Sequence, residues 1–153
     1  MILISHRGNI NGRNPKRENR PNYIWETLYQ RYQVEVDVWY DKGWWLGHNE
    51  PQYKCVRNDL LHCWCHAKNI EALSRMRLDW WDMETKWKFN CFWHQKDDYT
   101  LTSKGFIWVY PNKPLIEGCI CVLPEKYKLP IDTKVLKECA GICSDYISYY
   151  KTL

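Results

Sequence analysis

The stretch 33–39 constrains this chain most, because it alternates apolar and acidic side chains with a period of two. That period is typical of a β-strand with two different faces, so three valines point one way and Glu35 and Asp37 point the other. The two carboxylates are expected about 7 Å apart, where like charges repel unless a cation or a shared proton relieves them. Such a face suits a divalent cation such as Mg²⁺ or Ca²⁺, and a solvated strand face is the simpler alternative.

The size and charge of the chain limit the classes of protein it can be. Its 153 residues have room for one domain with one core, which we place at 1–153. A net charge of +4 suits a protein that meets phosphates but falls short of a dedicated nucleic-acid binder. No apolar run approaches the roughly 18 residues of a membrane span, and the short apolar start lacks the basic region of a signal peptide. We therefore expect a cytoplasmic protein with no membrane span and no stable nucleic-acid partner.

The eight cysteines are expected to be reduced thiols in that compartment. Two pairs, Cys63 with Cys65 and Cys119 with Cys121, are each separated by one residue, which places both thiols on one face of a strand. The spacing typical of zinc sites, with two or more residues between cysteines, is absent. The pattern favours core thiols over a structural metal site.

Strand-like and helix-like segments alternate along most of the chain. The predicted strands are 1–5, 33–39, 44–46, 61–67, 90–95, 106–110, 119–123 and 140–143. The predicted helices are 22–32, 69–77 and 132–139, with Asn22, Asn69 and Asp132 as N-caps, and a terminal aromatic helix begins at 144. The segment 78–88 contains Trp80, Trp81 and Trp87, which either finish a helix or cover one end of a barrel. Repeated βα units imply a parallel sheet.

Polar residues gather where the predicted strands end. His6, the pair Glu35 and Asp37, the pair His66 and Lys68, and His94 all occupy such positions. A doubly wound sheet would need a glycine-rich loop after its first strand, which this chain lacks, whereas a (β/α) barrel takes its site from several strand ends. We predict an α/β fold, a shortened TIM-type barrel with about seven to eight strands and reduced helices.

The loop 9–22 carries four basic residues, Arg13, Lys16, Arg17 and Arg20. It is either a solvated loop or an electropositive lip that draws a phosphate to the site.

Three motifs carry a resemblance to a known family. His6-Arg7-Gly8, Glu35-x-Asp37 and Gly47-His48 occur in the order found in the glycerophosphodiester phosphodiesterase family, which the chain resembles over about half its length. The closing stretch 141–146 also resembles the last barrel strand of that family. The resemblance implies a TIM-barrel phosphodiesterase that needs a divalent cation and acts on a small-molecule phosphodiester.

The resemblance also implies roles for individual residues. Glu35 and Asp37 would bind the metal, His6 and His48 would act as general acid and base, and Arg7 would contact the phosphate. A neighbouring hydroxyl of the substrate would attack first, and water would then open the cyclic phosphate. These roles agree with the chemistry of the side chains, because a cation and an arginine stabilise the charge that builds on a phosphoryl group.

Two features depart from the family pattern. His66-Ala67-Lys68 stands where the family has Glu-x-Lys, so Lys68 fits the phosphate-binding position and His66 would be the third metal ligand. We expect Mg²⁺ or Mn²⁺, with Ca²⁺ as an alternative, and an imidazole ligand favours Mn²⁺, Zn²⁺ or Fe²⁺ over Ca²⁺. The chain is also shorter than the roughly 250 residues of a typical TIM barrel. Aromatic side chains or a homodimer would then cover faces that helices normally cover.

His94 and Trp108 are predicted to line the pocket. Two alternatives to hydrolysis stay open at this point. One is a degenerate barrel that binds a phosphorylated ligand without turnover, and the other is a basic aromatic protein that stacks single-stranded nucleic acid.

Overall fold

A computed structural model describes residues 1–78 and 89–153, which form a mixed α/β fold around one sheet of ten strands. The strands are β1 (Ile2–His6), β2 (Gln33–Tyr40), β3 (Trp44–Leu46), β4 (Tyr53–Cys55), β5 (Cys63–Ala67), β6 (Asn90–Phe92), β7 (Tyr99–Leu101), β8 (Ile107–Val109), β9 (Ile120–Val122) and β10 (Gly141–Ser144). The helices are α1 (Pro21–Tyr29), α2 (Arg57–Leu60), α3 (Ile70–Leu78) and α4 (Thr133–Glu138), and 3-10 helices span Pro124–Lys126 and Ile147–Thr152. The predictions for Trp80, Trp81 and Trp87 lie outside the described residues.

Seven of the strands run parallel, in the order β6-β5-β2-β1-β10-β9-β8. The last parallel strand in the chain, β10, therefore pairs with the first, β1. Antiparallel pairing adds β3 beside β2, β4 beside β3, and β7 beside β8. The predicted parallel sheet is confirmed, whereas the short strands β4 and β7 were not predicted. Within residues 1–78 and 89–153 no backbone pairing joins β6 to β8, so the sheet is not closed.

The alternating stretch forms β2, and both of its faces are buried. Val34, Val36 and Val38 are fully buried in the core that the sheet shares with α1 and α3. Glu35 and Asp37 on the other face are only 3% and 0% exposed. The solvated-face alternative is therefore wrong, and the two carboxylates belong to the interior.

A second core gathers side chains from across the parallel sheet. It is made of side chains from six parallel strands and the residue after β9, namely Ile4, Trp64, Phe92, Trp108, Ile120, Val122, Leu123 and Cys143. The ring centroids of Phe92 on β6 and Trp108 on β8 lie 4.6 Å apart. The backbone N–H of Ser103 also donates to the Cys91 carbonyl at 2.8 Å, so the chain after β7 bonds to β6. Side chains and a loop thus connect the two edges of the parallel sheet.

The helix ends follow their capping residues only in part. Asp132 accepts a 2.8 Å hydrogen bond from the Lys134 N–H, and Asn69 accepts one of 3.2 Å from the Ala72 N–H, as predicted. The cap predicted at Asn22 is wrong, because Arg20 occupies the N-cap of α1 and Pro21 begins the helix. Proline is favoured there, since its fixed φ suits the first helical position and its missing N–H is not needed.

All eight cysteines are free and buried, which places them in the core. No helix among the described residues is long and apolar enough to cross a membrane.

Candidate functional site

A cavity of about 720 Å³ opens where the parallel strands end. Eight of the nine predicted site residues line it: His6, Arg7, Glu35, His48, His66, Lys68, His94 and Trp108. The ninth, Asp37, lies beneath this surface and is 0% exposed. The structure therefore brings together residues that are spread over more than a hundred positions of the chain.

Asp37 is surrounded by groups that favour its negative charge. Its Oδ2 lies 2.8 Å from Arg7 Nε and accepts a 2.9 Å hydrogen bond from Asn19 Nδ2, and its Oδ1 lies 3.4 Å from Lys68 Nζ. The Asp37 N–H donates back to Asn19 Oδ1 at 3.0 Å. Burial alone would raise the pKa of Asp37, but the charges of Arg7 and Lys68 hold it well below its usual range. Asp37 is thus a buried, ionised carboxylate.

Glu35 is buried without comparable support. Its Oε2 has no hydrogen-bond partner among the described residues, and His6 Nε2 lies 3.9 Å away. Burial and the charge of Asp37 raise the pKa of Glu35 above its ordinary value. An unsatisfied buried carboxylate oxygen is costly, so the position of Glu35 Oε2 suits a carboxyl proton or a bound cation.

The orientation of His66 indicates where such a cation would lie. His66 Nε2 donates to the His94 carbonyl oxygen at 3.2 Å, which leaves Nδ1 with the lone pair in the neutral ring. Nδ1 faces Asp37 Oδ1 at 3.3 Å and Glu35 Oε1 at 4.0 Å. A lone pair beside two carboxylate oxygens is repulsive unless a second proton or a metal ion lies between them.

The donor set fits a divalent metal ion. Ligand atoms of Glu35, Asp37 and His66 all lie within 4.8 Å of one another. Two carboxylates and an imidazole suit Mn²⁺, Zn²⁺ or Fe²⁺, and Mg²⁺ accepts the carboxylates. The His94 carbonyl would act as the outer partner that fixes the ring of a metal-binding histidine. The three residues predicted as ligands are therefore placed where a metal could be held.

His6 is oriented by an acid that was not given a role from the sequence. His6 Nδ1 lies 2.7 Å from Asp145 Oδ1, and Asn9 Nδ2 donates to the same oxygen at 2.8 Å. Burial would raise the pKa of Asp145, but these hydrogen bonds and the charge of His6 lower it overall. An ionised Asp145 accepts the Nδ1 proton, so the lone pair of neutral His6 is on Nε2, which lines the cavity side near Glu35.

His48 has the opposite tautomer, because Arg7 contacts it. Arg7 Nη2 lies 2.7 Å from His48 Nδ1, and a guanidinium can only donate. Nδ1 therefore accepts, and Nε2 carries the proton of the neutral ring, so the 3.3 Å approach of Nδ1 to Asp37 Oδ2 is not a hydrogen bond in this tautomer. Arg7 Nη1 also donates to Glu18 Oε2 at 3.3 Å. These protein contacts leave about two of its five N–H groups for a ligand.

The remaining predicted residues form the walls of the cavity. Burial and the charges of His66 and Lys68 lower the pKa of His94 to about 4, so His94 stays neutral. Trp108 is 4% exposed and packs on Phe92, so only a small part of its ring faces the cavity.

Of the four basic residues in the loop 9–22, Arg13 lines the cavity. Arg17 instead pairs with Glu26 at 2.7 Å, and the guanidinium of Arg20 lies 5.4 Å from the ring centroid of Tyr53. The electropositive lip is therefore limited to Arg13 in this loop.

Asn19 and Asp145 complete the site, and their roles were missed from the sequence. Asp145 belongs to the closing stretch 141–146, so a signal for it was present. Asn19 belongs to a polar loop in which nothing distinguishes it, although it is 1% exposed and has a left-handed backbone φ of 62°.

No family model, curated protein or solved structure matches this chain.

Proposed function

We propose that this protein is a divalent-metal-dependent phosphodiesterase that hydrolyses glycerophosphodiesters or related lipid head-group phosphodiesters. The observation that carries the proposal is the convergence of Glu35, Asp37 and His66 within 4.8 Å, beside one cavity. His6 and His48 line the same cavity with complementary tautomers, one with a free lone pair and one with a proton. A metal site flanked by a base and an acid is what phosphodiester hydrolysis requires.

The proposal includes a shortened TIM-type barrel as the scaffold. Its support is the strand order, in which seven parallel strands follow the chain and β10 returns to β1. The contact of Phe92 with Trp108 joins the two open edges. Helices accompany only some of the strands, and the described stretch between β8 and β9 contains none. This arrangement is consistent with a barrel whose helices are reduced.

The chain's own residues supply both proton transfers of the proposed reaction. An oxygen nucleophile bonds to phosphorus while the P–O bond to the departing alcohol breaks. His6 Nε2, oriented by Asp145, takes the proton of the nucleophile, and the imidazolium form of His48 donates a proton to the departing alkoxide and becomes neutral. Lys68 and the free N–H groups of Arg7 bind the non-bridging oxygens. A bound divalent ion would add Lewis-acid stabilisation of the phosphoryl charge.

A second function is favoured by one observation. Arg7 and Lys68 already neutralise Asp37, at 2.8 and 3.4 Å, so this carboxylate does not need an ion to stay charged. A protein that binds a phosphorylated ligand without turnover would have this arrangement.

The proposal also includes a cytoplasmic setting, which matches eight free thiols, and a homodimer that would cover exposed apolar side chains such as Leu101 and Leu129.

The test is hydrolysis of a panel of glycerophosphodiesters, including glycerophosphocholine, with Mg²⁺ or Mn²⁺ and again with EDTA. We expect turnover that EDTA removes and that the His6→Ala variant lacks. His62→Ala is the matched control, because His62 is exposed and packs on Trp25 outside the cavity. Metal binding without turnover of any diester would favour the non-hydrolytic binder, and neither binding nor turnover would refute both.

A further inference from the structure

Lys126 lies on the turn that follows β9 and lines the cavity. In the sheet, β10 and β1 separate β9 from the metal-binding strand β2. Lys126 therefore belongs to the part of the cavity that would hold the alcohol of a phosphodiester whose phosphate lies at Glu35 and Asp37.

The backbone of this turn is held from several sides. Glu125 Oε1 accepts from the Asp145 N–H and its Oε2 from the Ser144 hydroxyl, each at 2.9 Å. Asn112 Nδ2 donates to the Lys126 carbonyl at 3.1 Å, and the Lys126 N–H donates to the Leu123 carbonyl at 2.8 Å. The position from which the Lys126 side chain extends is therefore fixed relative to His6 and its partner.

The charge of Lys126 helps to lower the pKa of Asp145 from a distance, but no carboxylate contacts Lys126 directly within the described residues. Its Nζ has no hydrogen bond or ion pair within the described residues, whereas the other three lining cations, Arg7, Arg13 and Lys68, each pair with a carboxylate. On the described cavity surface the one carboxylate belongs to Glu35, on the opposite side of β1. Leu123 and Asn112, which both bond to the Lys126 backbone, also line the cavity, and Tyr110 adds an aromatic side chain to the cavity surface.

We infer that Lys126 is a specificity residue that binds a second anionic group, a carboxylate or a phosphate, on the alcohol part of the substrate. The inference rests on the proposed function, because it assigns the substrate class of the same cavity. A cationic head group such as choline could contact the aromatic side chains of the cavity, but it would meet the positive charge of Lys126, which has no ion-pair partner among the described residues.

The test compares substrates that differ by one anionic group. Glycerophosphoserine differs from glycerophosphoethanolamine by a carboxylate, and glycerophosphoglycerol phosphate differs from glycerophosphoglycerol by a terminal phosphate. We expect the anionic member of at least one pair to have a higher kcat/KM by about tenfold, the effect of a charged hydrogen bond. The pair that shows the larger ratio identifies carboxylate or phosphate as the preferred group.

Two variants make the test specific. Lys126→Gln should abolish the preference, and Lys128→Gln, which removes the same charge from an exposed lysine outside the cavity, should keep it. Equal kcat/KM values within both pairs, or the same loss in both variants, would overturn the inference.

Binding of the four diesters to the His6→Ala variant, measured by calorimetry, separates the two proposals. A preference for the anionic diesters in binding, with no hydrolysis by the wild type, would refute the enzyme and uphold the role of Lys126. Absence of binding and of hydrolysis would overturn both.

Discussion

Asp37 is the residue on which the site depends. A fully buried carboxylate is costly, and in this chain Arg7, Lys68 and Asn19 compensate for it from three different segments. Because each of these groups must reach the same carboxylate, the carboxylate fixes where the two cations lie. The buried charge therefore contributes to the placement of the phosphate-binding groups more than to stability, since desolvation offsets much of the attraction.

Asp145→Asn tests the orientation of His6. The amide cannot accept the Nδ1 proton as a carboxylate does, so the tautomer with a free Nε2 loses its support. We expect kcat to fall by about 100-fold or more, the scale of a lost general base, at saturating Mn²⁺. Glu117→Gln, at an exposed acid, is the control. A wild-type kcat in Asp145→Asn would show that His6 does not act as the base.

His66→Ala tests the third ligand. Loss of an outer partner of a metal-binding histidine typically lowers affinity about 10- to 100-fold, and loss of the ligand itself should cost at least as much. We expect the Kd for Mn²⁺, measured by calorimetry, to rise at least about tenfold. His62→Ala should leave the Kd unchanged, and an unchanged Kd in His66→Ala would exclude the imidazole as a ligand.

At the scale of elements, the period of two in residues 33–39 was sufficient to predict β2 and the direction of its side chains. It could not predict that both faces are buried, because burial of Glu35 and Asp37 depends on Asn19 and on strands distant in sequence. β4 and β7 were missed because each short strand has a polar residue at its centre, Lys54 or Thr100, whereas the equally short β3 is apolar throughout. The start of α1 was misplaced because the chain enters the helix through Pro21 instead of a capping side chain.

Gly47→Ala tests the turn that presents His48. Gly47 has a φ of 153°, and a Cβ there would collide with the Glu50 carbonyl oxygen. The backbone cannot shift freely, because the Gly47 N–H bonds to the Asp37 carbonyl at 3.1 Å and its own carbonyl accepts from Trp39 Nε1 at 2.6 Å. We expect a loss of about 1–3 kcal/mol in the free energy of unfolding and a lower kcat.

Gly43→Ala is the matched control for that substitution. Gly43 has a similar φ of 157°, yet nothing lies within 4 Å of the Cβ that would be added. The difference between the two variants, measured by urea unfolding, isolates the steric collision from the backbone strain. Equal losses of unfolding free energy in Gly47→Ala and Gly43→Ala would show that the close packing around Gly47 does not hold the turn that carries His48.

At the scale of the whole molecule, the gathering of polar residues was predictable because parallel strands end at the same edge of a sheet. The contacts that bring the edge strands together were not predictable, because contacts such as that of Phe92 with Trp108 join segments that share no pattern in the sequence. The role inferred for Lys126 could not be predicted from the sequence either. It depends on the position of Lys126 in the cavity without an ion-pair partner among the described residues, and the residues next to it along the chain do not indicate this.

Buried thiols with a raised pKa make the stability of the whole molecule sensitive to alkaline pH. Burial raises the pKa of Cys55 and of Cys121 from 9.0 to about 12. The unfolded chain therefore loses these protons above about pH 9 while the folded chain keeps them, so this stability is complete below that pH and falls as pH rises toward 12. We expect each such thiol to lower the free energy of unfolding by up to about 1.4 kcal/mol per pH unit in that window, measured by urea unfolding. A Cys55→Ala/Cys121→Ala variant should lose stability less steeply with pH, and an unchanged slope would show that other groups cause the loss.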